Sequence, residues 1–529
     1  MADLEEKMTS TAPGGRLPSS IFDNPTIAWR LLLFLALLTI TTVMRLPYLG
    51  DPDMNLDEGF YLTAADRMWR GELLFVDIWD RKPVGIFILN FLLRPLSSDG
   101  IWPVHIAALL SVASTAFLVG AIASRITGRR AAIFPALIYV LCLPLFAGMG
   151  AQTPIFYNLL VTGAAWLVIQ TNDAVKPRQI ICGGASAMVL MGIAIQFKYT
   201  AVFEGAFFGM FLLYKLVRLK TAPLQFATIA SFWVVIALTP TALAFFYYAI
   251  IGHIDTFVYA NFLSIFDRAS MLSSYRDGLL LYIILAGTPL AALALAGIIK
   301  LLVRSSADRE DRLFLFSWAI FALVGLVSIG NFYDHYALPV IAPLAILAAP
   351  LFEAFLLSYA LIFLLIAWVG NFYNPLDYKT KVRSQTAINE LTALSRPYLK
   401  HGCMFIFDGP SILYAKTNAC LLTRFMYPDH LANAVEQNAV GADTATEMKR
   451  ILALRPAVIV TASRPVIPVR NPITVGLVDA VLKSDYVRVA DRLGGRDNRH
   501  YILNVRRDLA VRKIPRCEPT YHSSITQPR

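Results

Sequence analysis

Two adjacent carboxylates, Asp57 and Glu58, are followed further along the chain by two adjacent cations, Arg81 and Lys82, and then by Pro83. A carboxylate can take a proton from an attacking hydroxyl, and paired cations can neutralise a phosphate leaving group. On one face of a membrane, this set suits transfer chemistry on an anionic lipid. A blander role competes with it. Asp51, Asp53, Asp57 and Glu58 cluster at the start of a helical pattern made by Phe60, Leu62, Ala65, Met68 and Trp69. Helix N-termini favour negative charge, so one of the pair could simply cap an amphipathic helix lying along the membrane surface. One cap is enough for such a helix, which leaves a carboxylate and the Arg81-Lys82 pair to be explained.

The elements that must position these residues are membrane spans. Of the 529 residues, 57% are hydrophobic and only 16% charged, where a soluble chain carries about a quarter charged. The deficit covers residues 29 to about 370 and then ends. A bilayer core of about 30 Å takes about 20 apolar residues as helix. Runs near 29–44, 101–123, 131–149, 155–171, 179–196, 200–217, 225–251, 278–303, 313–330, 336–349 and 351–370 read as about eleven spans. Pro350 marks either a hairpin or a kink between the last two. Residues 83–96 are apolar but too short to cross, and are expected to lie in the interface or to dip in and out. One set of short loops carries Arg125, Arg129, Arg130, Lys176, Arg178, Lys215, Arg218, Lys220, Lys300, Arg304, Arg309 and Arg312, whereas the alternate set carries only Lys198, Arg268 and Arg276. Basic loops stay in the cytoplasm. The N-terminus is then inside, and the loops at 45–100, 150–154, 252–277 and 331–335, with all that follows 375, are outside. The net charge of +11 therefore serves orientation, and no nucleic-acid module accompanies it.

Residues 1–28 form a polar tail without a cleavage pattern, expected to be disordered and cytoplasmic. Residues 29–370 form the all-α membrane domain. From 375 to 529 the sequence turns globular. Met404–Phe407, Ala457–Val460, Tyr486–Ala490 and Tyr501–Val505 fit strands, and Thr444–Leu454 and Val475–Leu482 fit helices, which suggests a small extracytoplasmic α/β domain with no Gly-rich phosphate loop. The five cysteines show no metal-ligand spacing. Cys142 and Cys182 read as packing residues, and Cys517 has no assigned partner. A Cys403–Cys420 disulfide is open if the domain faces an oxidising compartment. Two ionisable residues lie near the outer ends of spans. Lys198 either snorkels or reaches the phosphate level, and Glu204 either faces a substrate cavity or hydrogen-bonds between helices.

The run LDEGFYLTAADRMWRGELLF followed by DRKPVGIFIL resembles the opening of the GT-C glycosyltransferases that use polyprenyl-phosphate sugars, such as the protein O-mannosyltransferase-like family and the lipid A aminoarabinose transferase. The matching features are Asp57-Glu58, Tyr61, Gly71 and Lys82-Pro83, and FYDHYALPVIAPLA at 332–345 is similar to a second recurrent segment. The resemblance implies Asp57 as catalytic base with Glu58 in reserve. It implies Lys82 at the lipid phosphate, with Arg81, Arg45, Lys198 and His335 as weaker candidates, and Tyr61, Gln152, Glu204, Tyr333 and Tyr336 in the substrate cavity. His335 also reads as an interfacial histidine with no ligand, and Gln152 as a turn residue. Many relatives carry a second acidic residue in the next outer loop, where this chain has Gln152, Thr153 and Pro154. Neither a metal nor another cofactor is therefore expected. The implied activity is inverting transfer of a sugar from a polyprenyl-phosphate donor to a lipid, polysaccharide or protein acceptor at the outer face of an inner (plasma) membrane. The competing readings are a transporter or flippase of lipid-linked sugars and a non-catalytic assembly protein of the same fold.

Overall fold

The structure, a computed structural model, describes residues 25–510 apart from 175, 305–306, 466–468 and 496–497. Most of the expected tail at 1–28, and Cys517, lie outside the described residues. The apolar runs become helices in the expected order. These are α1 (Pro25–Arg45), α2 (Leu56–Met68), α3 (Gly85–Leu93), α4 (Ile101–Ala123), α5 (Ile133–Cys142), α6 (Thr153–Gln170), α7 (Pro177–Ile195), α8 (Ala201–Arg218), α9 (Pro223–Ile250), α10 (Ile254–Val258), α11 (Ser273–Arg304), α12 (Arg309–Val327), α13 (Leu338–Leu347) and α14 (Phe355–Val369). Six of them, α1, α4, α6, α7, α9 and α11, are long and apolar enough to cross a bilayer, and the chain is a multi-pass membrane protein. Cys142 is buried, but Cys182 is exposed on α7 and does not pack in the core as expected.

Ion pairs tie the basic loops together at one end of the bundle. Arg125 meets Asp173 and Asp311, Lys215 and Arg218 meet Glu310, and Lys300 meets Glu353. Asp57 lies at the other end. The chain enters α13 from that other end, Lys300 Nζ donates to Pro350 O at 2.6 Å at the basic end, and Tyr373 beyond α14 donates to Met44 O back near the start. Pro350 therefore sits in a reversal and not in a kink. Small residues allow close helix crossings here. A Cβ built on Gly297 of α11 would stand 2.0 Å from Leu347 O at the end of α13. Gly297→Ala protein is expected to lose about 1–3 kcal/mol of stability through this overpacking, read as a lowered unfolding temperature of the detergent-solubilised chain. An unchanged midpoint would mean that the two helices do not cross so closely.

The helix carrying Asp57 departs from expectation. Eleven of the 13 residues of α2 are buried, so it does not lie on a membrane surface with one face open. It is covered on one side by α3 and on another by a short helix of the C-terminal domain, α16 (Ile412–Thr417). Gly59 packs against Ile412, and Thr63 Oγ1 donates to Ser411 O at 2.9 Å. Its end is open, with exposed Trp69 stacked on Phe91 at 4.6 Å. α3 has nine residues, or roughly 14 Å of helix, too little to cross.

The C-terminal domain runs α15 (Tyr378–Ser395), β1 (Met404–Ile406), α16, α17 (Asp429–Ala432), α18 (Thr444–Ala453), β2 (Val458–Ala462), α19 (Pro472–Asp485), β3 (Tyr486–Gly494) and β4 (Arg499–Arg506). Its mixed sheet has the order β1-β2-β4-β3, with β1 parallel to β2 and the other neighbours antiparallel. A disulfide joins Cys403, just ahead of β1, to Cys420, just beyond α16. It anchors the stretch that leads to Tyr427 and α17.

Candidate active site

Asn55 caps α2 by accepting from the Glu58 N–H at 3.0 Å, so neither Asp57 nor Glu58 has to serve as the cap. Consecutive residues on a helix point in different directions, and the two carboxylates have different fates. Glu58 turns inward. Its carboxylate accepts from Ala151 N at 2.7 Å, Asn55 Nδ2 at 2.5 Å and His105 Nε2 at 3.0 Å, while His105 Nδ1 accepts from Gly50 N. Glu58 thus stitches the start of α2 to the turn ahead of α6 and is absent from the cavity lining. Its expected role as a reserve base is corrected on that ground.

Asp57 faces a cavity of about 550 Å³. Of the residues singled out in the sequence, Asp57, Arg81, Lys82, Gln152, Lys198, Tyr333, His335 and Tyr336 line it. Lys82 Nζ stands 3.4 Å from Asp57 Oδ1 and 4.0 Å from Asp80 Oδ2, above the Tyr61 ring. Burial alone would raise the pKa of Asp57, but the Lys82 and His335 charges, with hydrogen bonds from Tyr427 and Gln152, hold it below the usual range. Burial likewise opposes the charge on Lys82, and Asp57 and Asp80 outweigh it and hold that pKa well up. Lys198 Nζ lies 3.4 Å from the centre of the Tyr336 ring, and burial together with the Lys82 charge lowers its pKa to about 7.

Three other expected residues lie elsewhere. Arg45 is buried outside the cavity lining and donates to Gly148 O at 2.8 Å and Gly150 O at 2.5 Å, holding the turn ahead of α6. Glu204 accepts from Trp318 Nε1 at 2.7 Å where α8 packs its Phe207-Phe208 face on α12, which is the interhelical role. Tyr61 is in the core, its hydroxyl 3.3 Å from Thr153 Oγ1, and supports Lys82 from beneath.

Sequence reasoning missed the contribution of the C-terminal domain. Tyr427, Asp429, His430, Asn433 and Glu436 line the same cavity, as do Asp80 and Arg268. Asp429 is pushed up to about 8 by burial and then by Glu436, Asp408 and Asp57. His430 lies edge-on to Trp79 at 4.6 Å and beside Tyr427. No local pattern in 427–436 signals this. Arg268, by contrast, stood out as one of three basic residues in the outer loops. Among the described residues no group of three His, Cys, Asp or Glu side chains is placed to hold a metal ion.

A membrane bundle whose first non-spanning segment carries an acidic residue and a lysine into one cavity, with a small mixed-sheet domain at the C-terminal end, is the GT-C fold. Among solved structures, ArnT from Cupriavidus metallidurans in the apo state shares it over 91% of this chain and 98% of that one, at a TM-score of 0.59 and 16% identity. The same protein bound to undecaprenyl phosphate gives 0.58 over 92% and 99%, again at 16% identity. The oligosaccharyltransferase AglB from Archaeoglobus fulgidus, in complex with an inhibitory peptide and a dolichol-phosphate, gives 0.50 over 82% of this chain and 69% of that one, at 11% identity. At such identities the likeness is one of fold. No family model matches the sequence. No curated protein matches it either.

Proposed function

We propose that this protein is a membrane glycosyltransferase that moves a sugar from a polyprenyl-phosphate donor to a hydroxyl acceptor. The observation that carries the reading is the convergence of Asp57, Lys82 and His335 on one cavity. Asp57 takes the proton of the acceptor hydroxyl, whose oxygen attacks the anomeric carbon from the face opposite the phosphate. The bond from that carbon to the phosphate oxygen breaks, its electron pair leaves with polyprenyl phosphate, and the product is inverted. Lys82 and Lys198 take the phosphate charge, and no step calls on a metal. The undecaprenyl phosphate and dolichol-phosphate in the ArnT and AglB structures are ligands of the class proposed here.

In this reading about eleven segments cross the membrane, the basic end faces the cytoplasm, and the C-terminal domain is periplasmic at the inner membrane. The Cys403–Cys420 disulfide suits an oxidising compartment. The deciding experiment supplies purified protein with a labelled polyprenyl-phosphate sugar and candidate lipid, polysaccharide and peptide acceptors. Transfer that is lost in Asp57→Asn protein supports the reading. Movement of the donor across a bilayer with no bond broken would favour a flippase instead.

The cavity charges give a pH dependence. Lys198 loses its proton through about pH 7 and Asp429 loses one through about pH 8. Both changes make the cavity less positive as pH rises. Affinity for polyprenyl phosphate is therefore expected to fall on the alkaline side, by about tenfold per pH unit for each linked proton, when measured by titration into purified protein. Lys198→Met protein should lose the lower step. A flat profile from pH 6 to 9 would remove Lys198 from the phosphate site.

A further inference from the structure

Glu436 belongs to the C-terminal domain, yet its carboxylate gathers two loops of the membrane domain. Arg81, in the loop before α3, donates from Nη1 to Oε1 at 2.8 Å and from Nη2 to Oε2 at 2.5 Å. Arg268, in the loop after α10, reaches Oε1 from Nη2 at 2.7 Å. The carboxylate is 6% exposed. Two bonds to the C-terminal backbone run alongside, from Arg81 Nη2 to Ala439 O at 3.0 Å and from Ala269 N to Val435 O at 3.1 Å. Arg81, expected at the donor phosphate, is thus committed to Glu436. The clamped segment is the one that brings Tyr427, Asp429, His430 and Asn433 into the cavity.

We propose that Glu436 is a positioning residue whose clamp on Arg81 and Arg268 holds segment 427–436 as a roof over the cavity, so that an acceptor hydroxyl and not water meets the donor. This rests on the transferase reading. Water is the natural competitor of any such acceptor. If Asp57 takes a proton from water, the hydroxyl oxygen bonds to the anomeric carbon, the bond to phosphate oxygen breaks, and the products are free sugar and polyprenyl phosphate. A closed site prevents that side reaction. The clamp is one of several attachments of the domain, which also rests on Thr63 with Ser411 O, Gln385 with Gly50 O and Tyr501 with Asp53. Loss of the clamp therefore loosens one edge of the roof while the domain stays attached. Truncating one side of a buried charge pair is costly, because its partners remain buried.

The test measures transfer and donor hydrolysis side by side in full-length protein reconstituted in nanodiscs. Glu436→Gln keeps the volume and removes the charge, and is expected to raise the ratio of hydrolysis to transfer by about tenfold or more. Glu436→Asp should restore part of the wild-type ratio. Arg268→Gln, which breaks the clamp from the membrane-domain side, should raise the ratio likewise, and the double variant should add little to either. If Glu436→Gln and Arg268→Gln both leave the ratio at the wild-type value, the proposal is overturned, even where total turnover falls. The Asp57→Asn control separates the two claims. Were it to transfer at the wild-type rate, the transferase reading would fail whatever Glu436 does.

Discussion

Asp57→Asn protein is expected to fold, to bind polyprenyl phosphate and to transfer sugar about 10³-fold more slowly than wild type. The amide has nearly the shape of the carboxylate, so the contacts around Lys82, Tyr427 and Gln152 have little reason to rearrange. What disappears is the carboxylate assigned to accept the hydroxyl proton, while the neighbouring Asp80 stays in place 4.0 Å from Lys82. Glu58 cannot substitute, because its oxygens are turned away and already receive Asn55, Ala151 and His105. Removing a negative charge from beside Lys82 leaves that ammonium freer for phosphate, so donor affinity should hold or improve while the chemical step slows. Single-turnover rates with donor in excess, together with a donor titration, separate the two effects. A variant that lost donor affinity but kept its chemical rate would place Asp57 at the phosphate and not at the acceptor.

The membrane helices were legible because apolar length decides them, and those expectations mostly agree with α1 to α14 within a few residues. The strands of the C-terminal domain were legible for a similar reason, since Ala457–Val460 and Tyr501–Val505 are short β-branched or aromatic runs. Partnership was less so. α2 looks one-sided in sequence, yet α16, from a distant part of the chain, buries its other face. Glu204 and Arg45 are buried charged residues, which usually points to a cavity or a partner. In both residues the partner won: Trp318 for one, the backbone carbonyls of Gly148 and Gly150 for the other. The Gln152 loop brings no carboxyl group into the cavity, but Asp429 does, supplied from the far end of the chain. Spacing along a sequence carries no trace of such a contact.

Lys82→Met protein is expected to lose about 10²–10³-fold in transfer, and the manner of the loss is more informative than its size. Lys82 sits on the cavity surface 3.4 Å from Asp57, and in the proposed reaction it faces the donor phosphate. Removing its charge should weaken donor binding and slow departure of the phosphate. It should also disturb the base. Burial raises the pKa of Asp57, and the Lys82 charge is the largest influence holding it down. Without that charge burial gains ground, the folded-state pKa rises, and a higher pH is needed to keep the base ionised. The acid limb of the residual activity should therefore move to higher pH in Lys82→Met. It should stay low in Lys82→Arg, which keeps a positive charge but presents it through a longer planar group. An acid limb that stayed in place in Lys82→Met would mean that Asp57 is not the titrating base, and a variant with undiminished transfer would remove Lys82 from the donor phosphate. Both shifts together would place the carboxylate and the ammonium at one site, because the same lysine then sets the affinity for the donor and, through its charge 3.4 Å from Asp57, the pH at which the base works.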